Sequence, residues 1–132
     1  MPLSIPRPPG ARSRPPGTDV GRENQLHELI DVVIEPITTA TFRLARVSGR
    51  VLWGNVASAI NSAQARVSVH VPDLARQASA AAVSMSGHQR LARERNPPGP
   101  GFRRTSCCLF YRLAPDRPQA VCGDCVLHGR DG

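Results

Sequence analysis

Four cysteines, Cys107, Cys108, Cys122 and Cys125, are all the thiols of this 132-residue chain, and one stretch, SCCLFYRLAPDRPQAVCGDC, holds them all. Two residues separate Cys122 from Cys125, a spacing that lets both thiolates reach one metal ion, with Gly123 expected to permit the tight turn. The adjacent pair Cys107 and Cys108 is harder to aim at a single tetrahedral ion. Three chemistries use four neighbouring cysteines: a structural zinc site, a pair of disulfides, or a [2Fe–2S] cluster taking two thiolates per iron. A vicinal disulfide is strained. The leader MPLSIPRPPGARSRPPG lacks the apolar stretch of a signal peptide, so the chain is expected in the cytoplasm, where thiols stay reduced. Spacing therefore favours a metal centre over disulfides and leaves zinc and iron–sulfur open.

Little else in the chain could do chemistry. His27, His70, His88 and His128 are dispersed without metal-ligand spacing and are expected at the surface. There is no nucleophile–base pattern and no flavin or nicotinamide fingerprint, so any electron must come from an outside donor.

The elements that must position the cysteines are helical. Residues 1–20 carry Pro2, Pro6, Pro8, Pro9, Pro15 and Pro16 with few apolar partners, the composition of a disordered Pro/Arg-rich leader. Residues 21–95 read as a helical region. Leu26, Leu29, Ile30, Val33 and Ile34 recur at helical spacing, and Pro36 is expected to stop that helix. Ile37, Thr41, Leu44 and Val47 suggest a short second helix closed near Gly49. The third is the strongest: Leu52, Val56, Ile60, Ala63 and Val67 form its stripe, Ser48 can cap it, and small residues around Gly54 suit close approach of another backbone. Trp53 is expected to anchor packing, and Asn55 to face solvent or bond the backbone. A fourth helix is expected from Asp73 to Arg95. Residues 96–101, NPPGPG, form a Pro/Gly hinge, and residues 102–132 make the cysteine-bearing segment, which lacks the periodicity to fold alone. The fold class is mainly α: a bundle of three to four short helices with an irregular cysteine-rich end. Four short helices should leave little volume for a pocket.

The net charge of +7 comes with 17 basic residues, every one of them arginine. They are scattered and accompany no docking element, so a nucleic-acid partner is not expected. No run of eighteen apolar residues marks a transmembrane segment.

RRTSCCLFYRL followed by CGDCVL resembles the carboxy-terminal signature of the ferric siderophore reductases of the FhuF type, and RVLWGNVASAI resembles the helix preceding it. The resemblance spans roughly residues 30–127. It implies that Cys107, Cys108, Cys122 and Cys125 ligate a [2Fe–2S] cluster, and that the chain reduces ferric siderophore by one electron, releasing Fe(II) in the cytoplasm. Hydroxamate or catecholate oxygens hold ferric iron far more tightly than ferrous iron, so one electron frees the metal. A ferredoxin-like protein is the donor it implies. The alternative is a non-enzymatic interaction domain whose four-cysteine site holds zinc. Thirteen residues, 109–121, separate Cys108 from Cys122, about three more than in the family; the ligation is expected to survive, because a longer surface loop costs little closure entropy. Family members usually carry a long amino-terminal portion where this chain has its Pro-rich leader, so a truncated relative or a shortened gene model is expected. Arg103, Arg104 and Arg112 flank the ligands as a solvated basic rim, or as cations that favour the reduced cluster and attract an anionic partner. Tyr111 is expected to shield the cluster, and Asp124 to lower its potential unless it bonds the turn backbone.

Overall fold

The computed structural model describes residues 19–94, 97–109, 116 and 122–126. The leader, Tyr111, Arg112, His128 and nearly all of the loop APDRPQA lie outside the described residues. Helix α1 spans Asp19–Leu29, a π-helical turn follows at Ile30–Ile34, and α2 runs Glu35–Ala45 without interruption. Helix α3 spans Gly49–His70, a 3-10 turn takes Pro72–Leu74, α4 spans Ala75–Ser86, and a second 3-10 turn takes Ala92–Glu94. The architecture is mainly helical, as the composition leads one to expect, with no strand among the described residues.

Pro36 does not stop the first helix. A proline removes one N–H and crowds the carbonyl four residues back. Here the helix widens just ahead of it, with the Glu35 N–H donating to Ile30 O. Pro36 therefore sits in the first turn of α2, where the missing N–H costs nothing. The hydroxyl of Thr38 donates to the carbonyls of Ile34 (3.1 Å) and Glu35 (2.9 Å). The extra residue of the π turn also rotates the inward face. Ile30 and Thr38 are buried, whereas Ile37 and Leu44, expected on the packed side, are exposed. Helix α2 closes earlier than Gly49, at Arg46, which takes the left-handed conformation with φ 52° and donates its N–H to Phe42 O.

Ser48 caps α3 as its position suggests, its Oγ accepting from the Arg50 N–H at 3.3 Å. The face that α3 buries is the small one, Gly54 and Ala57, with Trp53, Val56 and Ile60 packed around it. Helix α4 is shorter than the 73–95 expectation. It ends at Ser86 because the Gly87 N–H is shared between Val83 O and Ser84 O, which tightens the last turn. That turn brings His88 inward. His88, expected at the surface, is 3 % exposed. Its Nδ1 accepts from the Arg90 N–H (3.2 Å), which leaves Nε2 to donate to Asp31 Oδ1 (3.0 Å). His27 packs edge-on against it and donates from Nε2 to Ser84 O at 2.8 Å. The two rings tie α1 and the π turn to the end of α4.

The core consists of Ile30, Ala57, Leu91 and Phe102, flanked by Ile34, Trp53, Val56, Ile60 and Met85. Phe102 belongs to the cysteine segment, so that segment supplies one of the core's own side chains. Ahead of it the hinge turns at Gly99 (φ 124°) and Gly101 (φ 81°), conformations that favour glycine. The Gly99 N–H donates to Asn61 Oδ1 on α3 at 2.8 Å. Among the described residues no helix is long and apolar enough to cross a membrane.

Candidate metal centre

The cysteine segment leaves Phe102 and is clamped at once. Arg104 is 5 % exposed, the opposite of a solvated rim. Its backbone N–H donates to the Asp124 carbonyl at 2.9 Å, joining the chain before the Cys pair to the Cys122–Cys125 turn. Its side chain donates from Nη2 to Asn55 Oδ1 (2.5 Å) and from Nε to Ser106 O (3.2 Å). Asn55 is exposed, as expected, and its amide oxygen also orients the buried guanidinium. Thr105 donates to Glu94 Oε2 at 2.6 Å, and Glu94 is itself buried. Ser106 donates from Oγ to the Arg50 carbonyl on α3 at 2.9 Å.

All three contacts crowd one point of α3, Gly54. A Cβ built there would collide with Ser106 Oγ and stand 3.2 Å from Arg104 Nη2 and 3.6 Å from Glu94 Oε2. The Trp-Gly-Asn run of α3 is thus one device: an aromatic for the core, a gap for the segment, and an amide for the arginine. Gly123 is different. It lies in an exposed turn with open space where a Cβ would stand, and its backbone is not left-handed. The turn does not require glycine.

The structure brings Cys108 and Cys122 into contact, with sulfurs 3.4 Å apart. Two thiolates on one tetrahedral ion at ~2.3 Å stand about 3.8 Å apart, so this pair is close to ligating distance. Cys125 is buried and its N–H donates to Cys122 O at 3.0 Å, the compact turn that the two-residue spacing implies. The chain bends sharply at Leu109 (φ 63°), whose N–H donates to Cys107 Sγ at 3.3 Å. Among the described residues, no three His, Cys, Asp or Glu side chains converge on one ion-sized point. All four thiols are free of disulfides.

The electrostatics fit a cation. Burial, followed by the hydrogen bond with and the charge of Cys108, pushes the Cys122 thiol up from 9.0 to about 12, with Asp124 and Cys125 adding to the effect. A crowded group of thiols beside a carboxylate keeps its protons until a positive charge compensates them. The Asp124 carboxylate adds to the upward push on the Cys122 thiol, while its Oδ2 is buried with no partner among the described residues. The donor set, four thiols with Cys108 and Cys122 in contact, suits an iron–sulfur group.

Sequence reading missed the buried state of Arg104 and Glu94, and the only trace of either was a polar residue, Asn55, beside a helical glycine. Exchanging Arg104 for lysine tests the clamp. A single ammonium cannot serve Asn55 and Ser106 O in the fork geometry of a guanidinium. The exchange is expected to lower stability by about 2 kcal/mol, from lost charge-assisted bonds, read by urea unfolding of the metal-free chain.

Beside the clamp lies a cleft of about 1010 Å³ between the start of α3 and the Ala92–Glu94 turn, lined among others by Arg50, Trp53, Arg90, Arg93 and Thr105. The cysteine segment contributes Thr105 to its wall.

No curated protein and no solved structure matches this chain. Residues 104–127 match the family model described as the FhuF 2Fe-2S C-terminal domain, a match that begins at the clamping Arg104 and includes all four cysteines.

Proposed function

We propose that Cys107, Cys108, Cys122 and Cys125 hold a [2Fe–2S] cluster and that the protein reduces ferric siderophore by one electron in the cytoplasm, releasing Fe(II). The observation that carries this reading is the family match over residues 104–127, which takes in the Cys108–Cys122 contact and the turn at Cys125. When bound, the cluster supplies single electrons, taken from a ferredoxin-like donor and passed to the ferric ion, whose chelate then loses its grip. The protein's own part is placement. Arg104 ties the two cysteine pairs together through its backbone and fixes them to α3 through its side chain. Phe102 plugs the segment into the core, and burial of Cys125 keeps one side of the site from water.

Protein purified without oxygen is expected to be red-brown, to contain two irons per chain, and to bleach on dithionite. Addition of a ferric chelate to the bleached protein should restore the colour as Fe(II) appears, measured with a ferrous-specific chelator. A colourless protein with one zinc per chain would support the zinc-stabilised interaction domain instead.

A further inference from the structure

We propose that the outward face of the continuous rod made by α1, the π turn and α2 pairs antiparallel with the same face of a second copy of this chain. Leu29, Val33, Ile37 and Leu44 are exposed large apolar side chains on this rod, and Ala40, between the last two, is exposed as well. Positions four apart on a plain α-helix drift around the axis by ~40° at each step. The wider π turn at Ile30–Ile34 holds that drift back at its start. The five residues therefore stay in one stripe, ~22 Å long. Ile37 is 60 % exposed and Leu44 87 %, so the bundle itself covers neither. Ile30 and Thr38, on the other side of the same rod, are the residues it buries.

Charge selects the occupant. The acids Glu28, Asp31 and Glu35 precede the middle of the stripe, and the cations Arg43 and Arg46 follow it; all but Glu35 are exposed. A parallel pair would set like charge against like. An antiparallel pair centred midway between Leu29 and Leu44 brings Leu29 against the partner's Leu44, and Val33 against the partner's Ala40. Arg43 then comes level with residue 30 of the partner, within reach of the partner's Glu28 and the partner's Asp31. Glu28 and Arg43 form no ion pair among the described residues, so both charges are open to such a contact. The twofold makes every one of these pairs twice. A foreign acidic or basic surface would match only one end of the pattern, whereas a second copy matches both. A seam this short belongs with the smaller interfaces, so the dimer forms reversibly and depends on concentration.

The test is sedimentation velocity of the full chain, from low micromolar to submillimolar concentration, which is expected to show monomer giving way to dimer. Ile37→Glu should raise the dimer Kd at least tenfold, because it brings two carboxylates to the centre of an apolar seam. Its circular-dichroism melt at low concentration should match the parent's, since Ile37 is exposed in the monomer. Val69→Glu, at an exposed valine near the end of α3 and outside the stripe, should leave the Kd unaltered. Glu28→Arg and Arg43→Glu should each weaken self-association. An equal mixture of those two variants should associate as tightly as the parent, because each antiparallel contact then regains opposite charges. A chain that stays monomeric throughout the range leaves the face to a different protein and overturns the proposal. So does a dimer that is indifferent to Ile37→Glu, or one weakened as much by Val69→Glu. A mixture no tighter than its two components overturns the antiparallel register.

Discussion

Gly54→Leu is expected to abolish cluster retention while leaving the helices folded. In isolation the exchange favours α3, because leucine is a better helix former than glycine by somewhat less than about 1 kcal/mol. In the protein the new side chain must occupy the point where Ser106, Arg104 and Glu94 already meet, and the first added carbon alone collides with Ser106 Oγ. Overpacking of this kind costs about 1–3 kcal/mol even for modest additions, and here the wall that can yield is the cysteine segment. Held by polar contacts, it gives way before α3 does. The expected result is helical circular dichroism equal to or above that of the parent, with iron content reduced at least tenfold. Gly54→Ala should fall between, since only the Ser106 contact is a collision and that hydroxyl can rotate. A Gly54→Leu protein that retained its iron would show that the segment does not depend on this approach.

Single Cys→Ser exchanges at 107, 108, 122 and 125 should each lower iron incorporation at least tenfold, because a two-iron cluster needs two thiolates on each iron. Their metal-free behaviour should differ. Cys125→Ser puts a hydroxyl into a buried position and should also lower apo stability, by about 1 kcal/mol. Cys107→Ser, at a half-exposed sulfur that accepts the Leu109 N–H, should leave the apo fold untouched. Iron per chain and urea midpoints distinguish the two effects. A Cys107→Ser protein with a full native spectrum would remove that residue from the ligand set.

Much of the site's chemistry was legible in the sequence, and much of its mechanics was not. The cysteines announce themselves because few other residues bind soft metals, and their spacing implies the compact Cys122–Cys125 turn. The start of α3 was readable from Ser48, since a capping hydroxyl acts locally. The end of α1 was misread because proline's effect depends on what precedes it. A π turn moves the missing N–H to a position where it is harmless, and no local rule announces a π turn. The stripe on α2 failed for the same reason: one extra residue rotates every side chain downstream, which is how Thr38 displaces Ile37 from the interior. Arg104 was misread because arginine is seldom buried. Its burial is a long-range fact, made by Asn55 on one side and Asp124 on the other, and neither partner is near it in sequence.

The polar clamp also bears on time. The helices are joined through Ile30, Ala57 and Leu91, whereas among the described residues the cysteine segment is held by one aromatic side chain and a handful of hydrogen bonds. Each such bond contributes about 1 kcal/mol, and up to ~3 where a charge takes part. The segment is therefore able to open as a unit at a cost below that of global unfolding. The lifetime of a bound cluster in air is then set by the population of that opened form, and amides of residues 102–109 should exchange with solvent long before those of α3. Durability in this protein belongs to the latch and not to the bundle behind it.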